Sequence, residues 1–230
     1  MLAPADGVPG VAEIAPGKRH SIPSLEDCRA CHDSGRTEVL GFNALQLSTD
    51  RDPGAFHADR IAPEMVTLQT LVEERRVSPL RREFVTDPPR IDAADPQTRA
   101  VLGYLSGNCG ACHNASGPLA NLGLNFRQPA YAPNGVHAVA RSALNRVTKW
   151  DLPGQMPGTS RALVAGDPDH SALLYRMRSR RPSSQMPPLG TVVQDREAVE
   201  AVEAWIARQA QACVRSGCAL PEGTQGNTVR

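Results

Sequence analysis

The chain has 230 residues, a formal net charge of +1 and only 4% aromatic residues. This length suits one large domain or two small ones, and the charge gives no indication of a nucleic-acid partner. No apolar run is long enough to span a membrane, and the first residues lack the basic and apolar regions of an export signal. Because rings are scarce, a large planar apolar ligand could complete the core.

The N-terminal part of the sequence is irregular. Residues 1–19 are rich in Pro, Gly and Ala without periodicity, which predicts a flexible leader. Residues 20–95 predict a first lobe with one helix, from about Pro63 to Arg76, in which Met65 lies on the apolar face.

The C-terminal part has stronger helix signals. Asp95 is a suitable N-cap with Pro96 at the first helical position, and this helix is predicted to stop at Gly107-Asn108. Three more helices are predicted, over 136–150, about 167–177 and about 195–212. With no convincing strand, the sequence predicts an all-α fold of two lobes with long irregular loops. The boundaries are 20–95 and 96–212, followed by a tail over 213–230.

Two segments share one motif, Cys28-Arg29-Ala30-Cys31-His32 and Cys109-Gly110-Ala111-Cys112-His113. C-x-x-C-H is the attachment signature of c-type haem. Cysteines three apart on one turn lie on the same side of the backbone, so each sulfur can form a thioether with one vinyl group. The adjacent histidine is then held beneath the iron, so the sequence predicts two covalent haems with His32 and His113 as proximal ligands.

Two other interpretations of the cysteine pairs remain. Together they could form a Cys₄ zinc site, although zinc does not require a histidine directly after each pair. A thioredoxin-like redox pair is disfavoured because no βαβ pattern surrounds either motif.

A haem that only transfers electrons needs a sixth iron ligand, commonly a methionine, which raises the potential. Met186 lies in the non-helical Gln185-Met186-Pro187-Pro188 stretch, where two prolines restrict the backbone, and we expect it to ligate the second haem. Met177 lies on an apolar helix face and is predicted to fill the core.

The distal ligand of the first haem stays open. His57 lies in an irregular loop without an evident packing role and is preferred, and Met65 is the second choice. His20 and Met156 are further candidates, and an open iron is also possible.

Residues 96–212 resemble a class I cytochrome c. The resemblance is carried by Gly103-Tyr104 before the motif, by Gly117-Pro118-Leu119 after it, by the Met186 loop and by a final helix containing Trp205. It implies that the Pro118 carbonyl accepts the proximal histidine N–H, that the first and last helices cross, and that residues 127–165 are an insertion.

Residues 20–212 further resemble a group of secreted bacterial dihaem cytochromes. The shared pattern is Ile22-Pro23-Ser24, the first motif, Val39-Leu40-Gly41 and Gln46-Leu47. This resemblance implies covalent haem and export to the periplasm, with an export signal that this sequence lacks.

The remaining cysteines, Cys213 and Cys218, predict a disulfide after the final helix. A cluster of arginines at 176, 178, 180 and 181 suits haem propionates, a partner or simply a solvated face.

The expected function is electron transfer between redox protein partners in the periplasm. A haem enzyme such as a dihaem peroxidase, with an open first iron, is the alternative, and a cytosolic structural zinc protein is the third possibility.

Overall fold

The structure is a computed structural model, and it describes residues 3–34, 39–52, 54–57, 60–78, 83–93, 95–130 and 138–216, with side chains as far as residue 210. In chain order its elements are β1 (Val8–Ala15), β2 (Lys18–Ile22), α1 (Leu25–His32), α2 (Leu68–Glu73), α3 (Glu83–Thr86), α4 (Pro96–Asn108), α5 (Ala138–Ala143), α6 (Ala172–Arg178) and α7 (Arg196–Ser216). Within the described ranges, no helix is both long and apolar enough to cross a bilayer.

An N-terminal hairpin shows that the all-α prediction is wrong, because the fold is a mixed one. Strands β1 and β2 pair antiparallel, and Pro16-Gly17 form the turn between them, with Gly17 at φ +68°. Pro followed by Gly suits a turn that needs a positive φ at its second central position. The hairpin begins inside residues 1–19, the segment predicted to be a flexible leader.

The hydrophobic core lies around the contact between α4 and α7, as predicted for these two helices. Asp95 caps α4 by accepting a hydrogen bond from the Thr98 amide at 2.9 Å, and Asp195 accepts one from the Ala198 amide at the start of α7 at 3.1 Å. The buried side chains of α4 lie at 100, 101, 102 and 105, and those of α7 at 198, 199, 202, 205 and 206. Each helix therefore buries one face against the other.

The other predicted helices are shorter in the structure. Thr67 caps α2 by accepting a hydrogen bond from the Thr70 amide at 3.2 Å, so the helix starts at Leu68 and Met65 lies before it rather than on its face. The helix predicted over 136–150 ends at Ala143, and α6 starts at Ala172 rather than near 167.

The irregular backbone over 144–171 contributes a buried stretch to the core, although other parts of it, such as Met156, are exposed. Leu163, Val164 and Ala165 are at most 5% exposed although none lies in a helix or a named strand. Two fully buried serines supply the hydrogen-bond acceptors that a neighbouring strand would otherwise provide. The Ser160 hydroxyl accepts from the Leu152 amide, and the Ser171 hydroxyl accepts from the Val164 amide. Ala162 and Leu163, which belong to the expected insertion, thus pack in the hydrophobic core.

Apolar side chains in the N-terminal region are more exposed to solvent than those of the C-terminal half. Most of the large apolar side chains that are at least 36% exposed precede residue 95, namely Val11, Ile14, Ile22, Leu25, Val39, Leu40, Phe42, Ile61 and Val66. The core of the described chain is therefore concentrated in the C-terminal half.

Candidate functional site

The second C-x-x-C-H motif forms a tight turn directly after α4. Cys109 follows the last helical residue, and its carbonyl oxygen accepts hydrogen bonds from the amides of Cys112 at 3.2 Å and His113 at 2.8 Å. The turn brings both cysteines and the histidine to the wall of one cavity. Two thiols and an imidazole therefore share one site, as the spacing predicts.

The cavity has a volume of about 1000 Å³, which is at the upper end of the roughly 300–1,000 Å³ of sites that hold small molecules and cofactors. Met186 lines it from the loop between α6 and α7. Much of the remaining wall is apolar and includes Leu124, Phe126, Leu173, Met177 and Val199. The cavity thus offers a thioether to the ligand that the motif would hold.

His113 is only 8% exposed, and its ring lies edge-on to that of Phe126 with centroids 5.6 Å apart. Burial, and to a lesser degree the charge of Arg176, lowers the pKa of His113. The imidazole is therefore neutral at neutral pH, which is the form that binds metals.

The Nδ1 atom of His113 is buried and has no hydrogen-bond partner in the structure as described. The bond to the Pro118 carbonyl, which the cytochrome resemblance implies, is therefore not formed here, although Pro118 lines the cavity. An orphaned buried nitrogen of this kind is costly unless a ligand or a small rearrangement satisfies it.

Two arginines of the predicted cluster face the cavity, and the others do not. Arg176 and Arg180 line it, and burial lowers the pKa of both guanidinium groups. Neither is paired with a carboxylate among the ion pairs of the described residues. Arg178 instead pairs with Glu203, with Nη2 and Oε2 2.6 Å apart. Asp195 also lines the cavity, but neither arginine is ion-paired with it, so two half-buried cations remain available to a largely apolar ligand that carries carboxylates.

Trp150 is a cavity residue that the sequence did not identify. It lies in the irregular segment over 144–171, and the guanidinium carbon of Arg176 is 5.0 Å from the centroid of its ring. This contact orients the arginine towards the cavity. The only available signal was that Trp150 is one of two tryptophans in a chain with few rings.

The thiols of the second motif are poor nucleophiles in this environment. Burial raises the pKa of Cys109 to about 12, and the neighbouring Cys112 adds to the effect. The pKa of Cys112 also rises to about 12, through burial and its contact with Cys31. Reactive thiols of disulfide oxidoreductases have pKa values lowered to about 3.5–7.5, so the pair does not resemble a thioredoxin-type centre.

The first motif lies on α1, which Ser24 caps and which has no buried residue. Cys31 lines the edge of the cavity, whereas Cys28 and His32 do not. His32 is exposed and Cys28 is half-buried. Only one of the three residues predicted to hold the first haem thus reaches the described cavity.

The residues proposed as distal ligand of the first haem do not line this cavity either. His57 pairs instead with Asp195, a residue of the cavity wall, with Nε2 and Oδ2 2.9 Å apart. Met65 is half-buried in the turn before α2, His20 is half-buried in β2, and Met156 is 73% exposed.

The cysteine pairs do not form a zinc site in the part of the chain that the structure describes, because no three His, Cys, Asp or Glu side chains there converge on a metal position. The predicted disulfide lies outside the described residues, since neither Cys218 nor the side chain of Cys213 is among them. Comparisons with protein families, curated proteins and solved structures found no match for the chain.

Proposed function

We propose that the chain is a c-type cytochrome that carries two covalent haems and passes electrons between redox partners. The observation that carries the proposal is the cavity that joins Cys109, Cys112, His113 and Met186 in largely apolar surroundings. Each of these four residues has the chemistry that one part of a c-type haem requires, and two arginines supply the charge that its propionates need.

Each cavity residue has a separate role in this proposal. Cys109 and Cys112 would hold the haem through thioethers, and the neutral imidazole of His113 would ligate its iron. The Met186 thioether would be the second protein ligand and would favour the reduced state, because a soft donor raises the potential. When bound, the haem supplies one-electron redox chemistry, and the apolar wall excludes water from it.

The first motif extends the same assignment to Cys28, Cys31 and His32. The dihaem cytochromes that the sequence resembles are secreted proteins, and their haems are attached outside the cytoplasm. We therefore propose that this protein is in the periplasm. The partners are then redox proteins rather than nucleic acids.

The direct test is the mass of the protein matured with an export signal and a haem-attachment system. We expect the mass of the chain plus two haems, and the loss of one haem in Cys109→Ala/Cys112→Ala. Cys213→Ala/Cys218→Ala is the matched control, because it removes the two cysteines outside both motifs and should leave two haems. Bound zinc, or protein without covalent haem, would overturn the proposal.

Met186 is tested by optical spectroscopy and potentiometry of the same protein. Met186→His should keep a low-spin iron and lower its potential on the order of 0.2 V, because imidazole stabilises ferric iron better than a thioether does. Met186→Ala should open the site to small ligands. Met156→Ala is the control, since Met156 is 73% exposed and does not line the cavity. If Met186→Ala leaves the spectrum unchanged, Met186 is not the ligand.

One observation favours a second candidate, a haem enzyme with an open first iron. His57, the preferred distal ligand of the first haem, is already paired with Asp195 at 2.9 Å, which would leave that iron open if the pair persists. The spin state separates the two candidates. If the protein only transfers electrons, both irons should be low-spin in the ferric protein. A high-spin first iron, together with turnover of peroxide, would favour the enzyme.

A further inference from the structure

The two C-x-x-C-H motifs are 81 positions apart in the sequence yet touch in the fold. The Sγ atoms of Cys31 and Cys112 are 3.3 Å apart, and Cys112 Sγ also lies 3.9 Å from the carbonyl oxygen of Ala30. The second cysteines of the two motifs are therefore in contact with each other.

Asn114 holds the end of the first motif against the second. Its side chain is buried at 2% exposure, and its Nδ2 donates to the carbonyl oxygens of Ser34 at 2.9 Å, Ala111 at 2.8 Å and Gly110 at 3.2 Å. Its Oδ1 accepts from the Gly117 amide at 2.8 Å. One side-chain amide thus bridges the two motifs through its Nδ2 donor, and its Oδ1 also fixes the backbone at Gly117.

Gly117 allows the backbones to approach closely. A Cβ atom at this position would lie 2.3 Å from the carbonyl oxygen of Ser34, a distance that no side chain can adopt. Ser34 is itself fully buried, and its hydroxyl donates to the Ala30 carbonyl within the first motif. We call Ser34, Asn114 and Gly117 the motif junction.

We infer that the motif junction sets the separation of the two haems and holds them edge to edge. The inference rests on the proposed function, because the thioethers of Cys31 and Cys112 would join the two haem edges at the point where the sulfurs meet. Bound at these positions, the haems would supply one-electron transfer between the two motifs, which needs no proton transfer and breaks no bond. Asn114 and Gly117 are positioning residues for this transfer.

The junction can be tested first without haem, in the full-length reduced chain carrying Cys28→Ala/Cys109→Ala. Oxidation with diamide should join Cys31 to Cys112. The two S–H bonds break, one S–S bond forms, and two electrons and two protons reduce the azo group to a hydrazine. Peptide mapping identifies the bond and separates it from any bond of Cys213 or Cys218.

Adding Asn114→Ala should slow this capture by about tenfold, since the hydrogen bonds that align the motifs are lost. Gly117→Ala should slow it by a similar factor by pushing Ser34 away. The matched controls are Asn121→Ala, at an exposed asparagine, and Gly54→Ala, where the nearest atom to a new Cβ would be 3.5 Å away. If Cys31 and Cys112 are not captured, or if all variants react at one rate, the junction is overturned.

The second arm uses the matured dihaem protein. Its ferric EPR spectrum should show spin–spin interaction between the haems, and Gly117→Ala should weaken the interaction while mass spectrometry still finds two haems. A wild-type spectrum that is the plain sum of two independent haems would overturn the edge-to-edge arrangement. Efficient capture of the thiols in a chain that never attaches haem would instead overturn the proposed function and leave the junction in place.

Discussion

The two C-x-x-C-H motifs have the same spacing but very different surroundings. The second follows α4, which buries Val101, Leu102 and Leu105 in the core, and its His113 is 8% exposed at the cavity. The first lies on α1, which has no buried residue, and Leu25 at its start is 51% exposed.

The same five-residue pattern thus occurs in two different environments, so the motif alone does not specify a site. The site at the second motif depends on walls from distant segments, namely the Met186 loop and the irregular segment around Trp150. The first motif lies on a helix with no buried residue, so a haem bound there would bury little apolar surface. The expected consequences for stability are therefore unequal.

The largest effect is expected from removing the proposed tether of the second haem. Cys109→Ala/Cys112→Ala should lower the free energy of unfolding by roughly 3 kcal/mol or more, because the cavity of the core loses its contents. The midpoint of thermal unfolding should fall by about 10 °C. Cys28→Ala/Cys31→Ala should cost about 1 kcal/mol or less. If both double variants lower the midpoint of thermal unfolding equally, the two motifs contribute equally to the stability of the core.

A smaller effect is expected from truncating one leucine in each region. Leu105 is fully buried and Leu25 is 51% exposed. Leu105→Ala should cost about 3 kcal/mol, whereas Leu25→Ala should stay within about 0.5 kcal/mol. Denaturant unfolding of the two variants measures the difference. If Leu25→Ala costs as much as Leu105→Ala, α1 is buried in the folded protein, contrary to its exposure in the structure.

The smallest effect concerns the cap of α7. Burial opposes ionisation of Asp195, but hydrogen bonds from the Ala198 amide and His57 outweigh it, so the pKa of Asp195 is lowered. A carboxyl with a depressed folded-state pKa stabilises the fold above its unfolded pKa of about 4, and the contribution is lost as the pH falls below that value.

Asp195→Ala should therefore cost about 1 kcal/mol at neutral pH, as expected for a lost N-cap. Asp195→Asn keeps a capping oxygen and should cost less, while its stability should fall less steeply than that of the wild type below pH of about 4. Thermal unfolding as a function of pH compares the three proteins. An unchanged slope in Asp195→Asn would mean that this carboxyl contributes nothing to the acid sensitivity.

The sequence predicted the parts of the fold in which local signals and packing agree. The helix after Asp95 and the final helix have both a cap and an apolar stripe, and both were predicted within a few residues. The hairpin was missed because its strands bury almost nothing, which removes the alternation, although Pro16-Gly17 was a usable turn signal.

Within the candidate site, prediction was equally uneven. Cys109, Cys112, His113 and Met186 were all predicted, and the structure brings them to one cavity. The contact between His57 and Asp195 joins residues 138 positions apart, and no local pattern reveals such a pairing. The same holds for the meeting of the two motifs, which depends on a buried asparagine and a glycine rather than on any periodicity.

The two buried serines of the irregular segment over 144–171 have a consequence for the internal motions of the protein. The amide hydrogens of Leu152 and Val164 are bonded to the hydroxyls of Ser160 and Ser171, at 2.8 and 2.9 Å. Amides with buried partners exchange with solvent only when the surrounding structure opens. These two hydrogens should therefore persist in deuterated water for as long as those of the core helices. We therefore expect these two amides, although they lie outside any helix, to exchange as slowly as amides of the hydrophobic core.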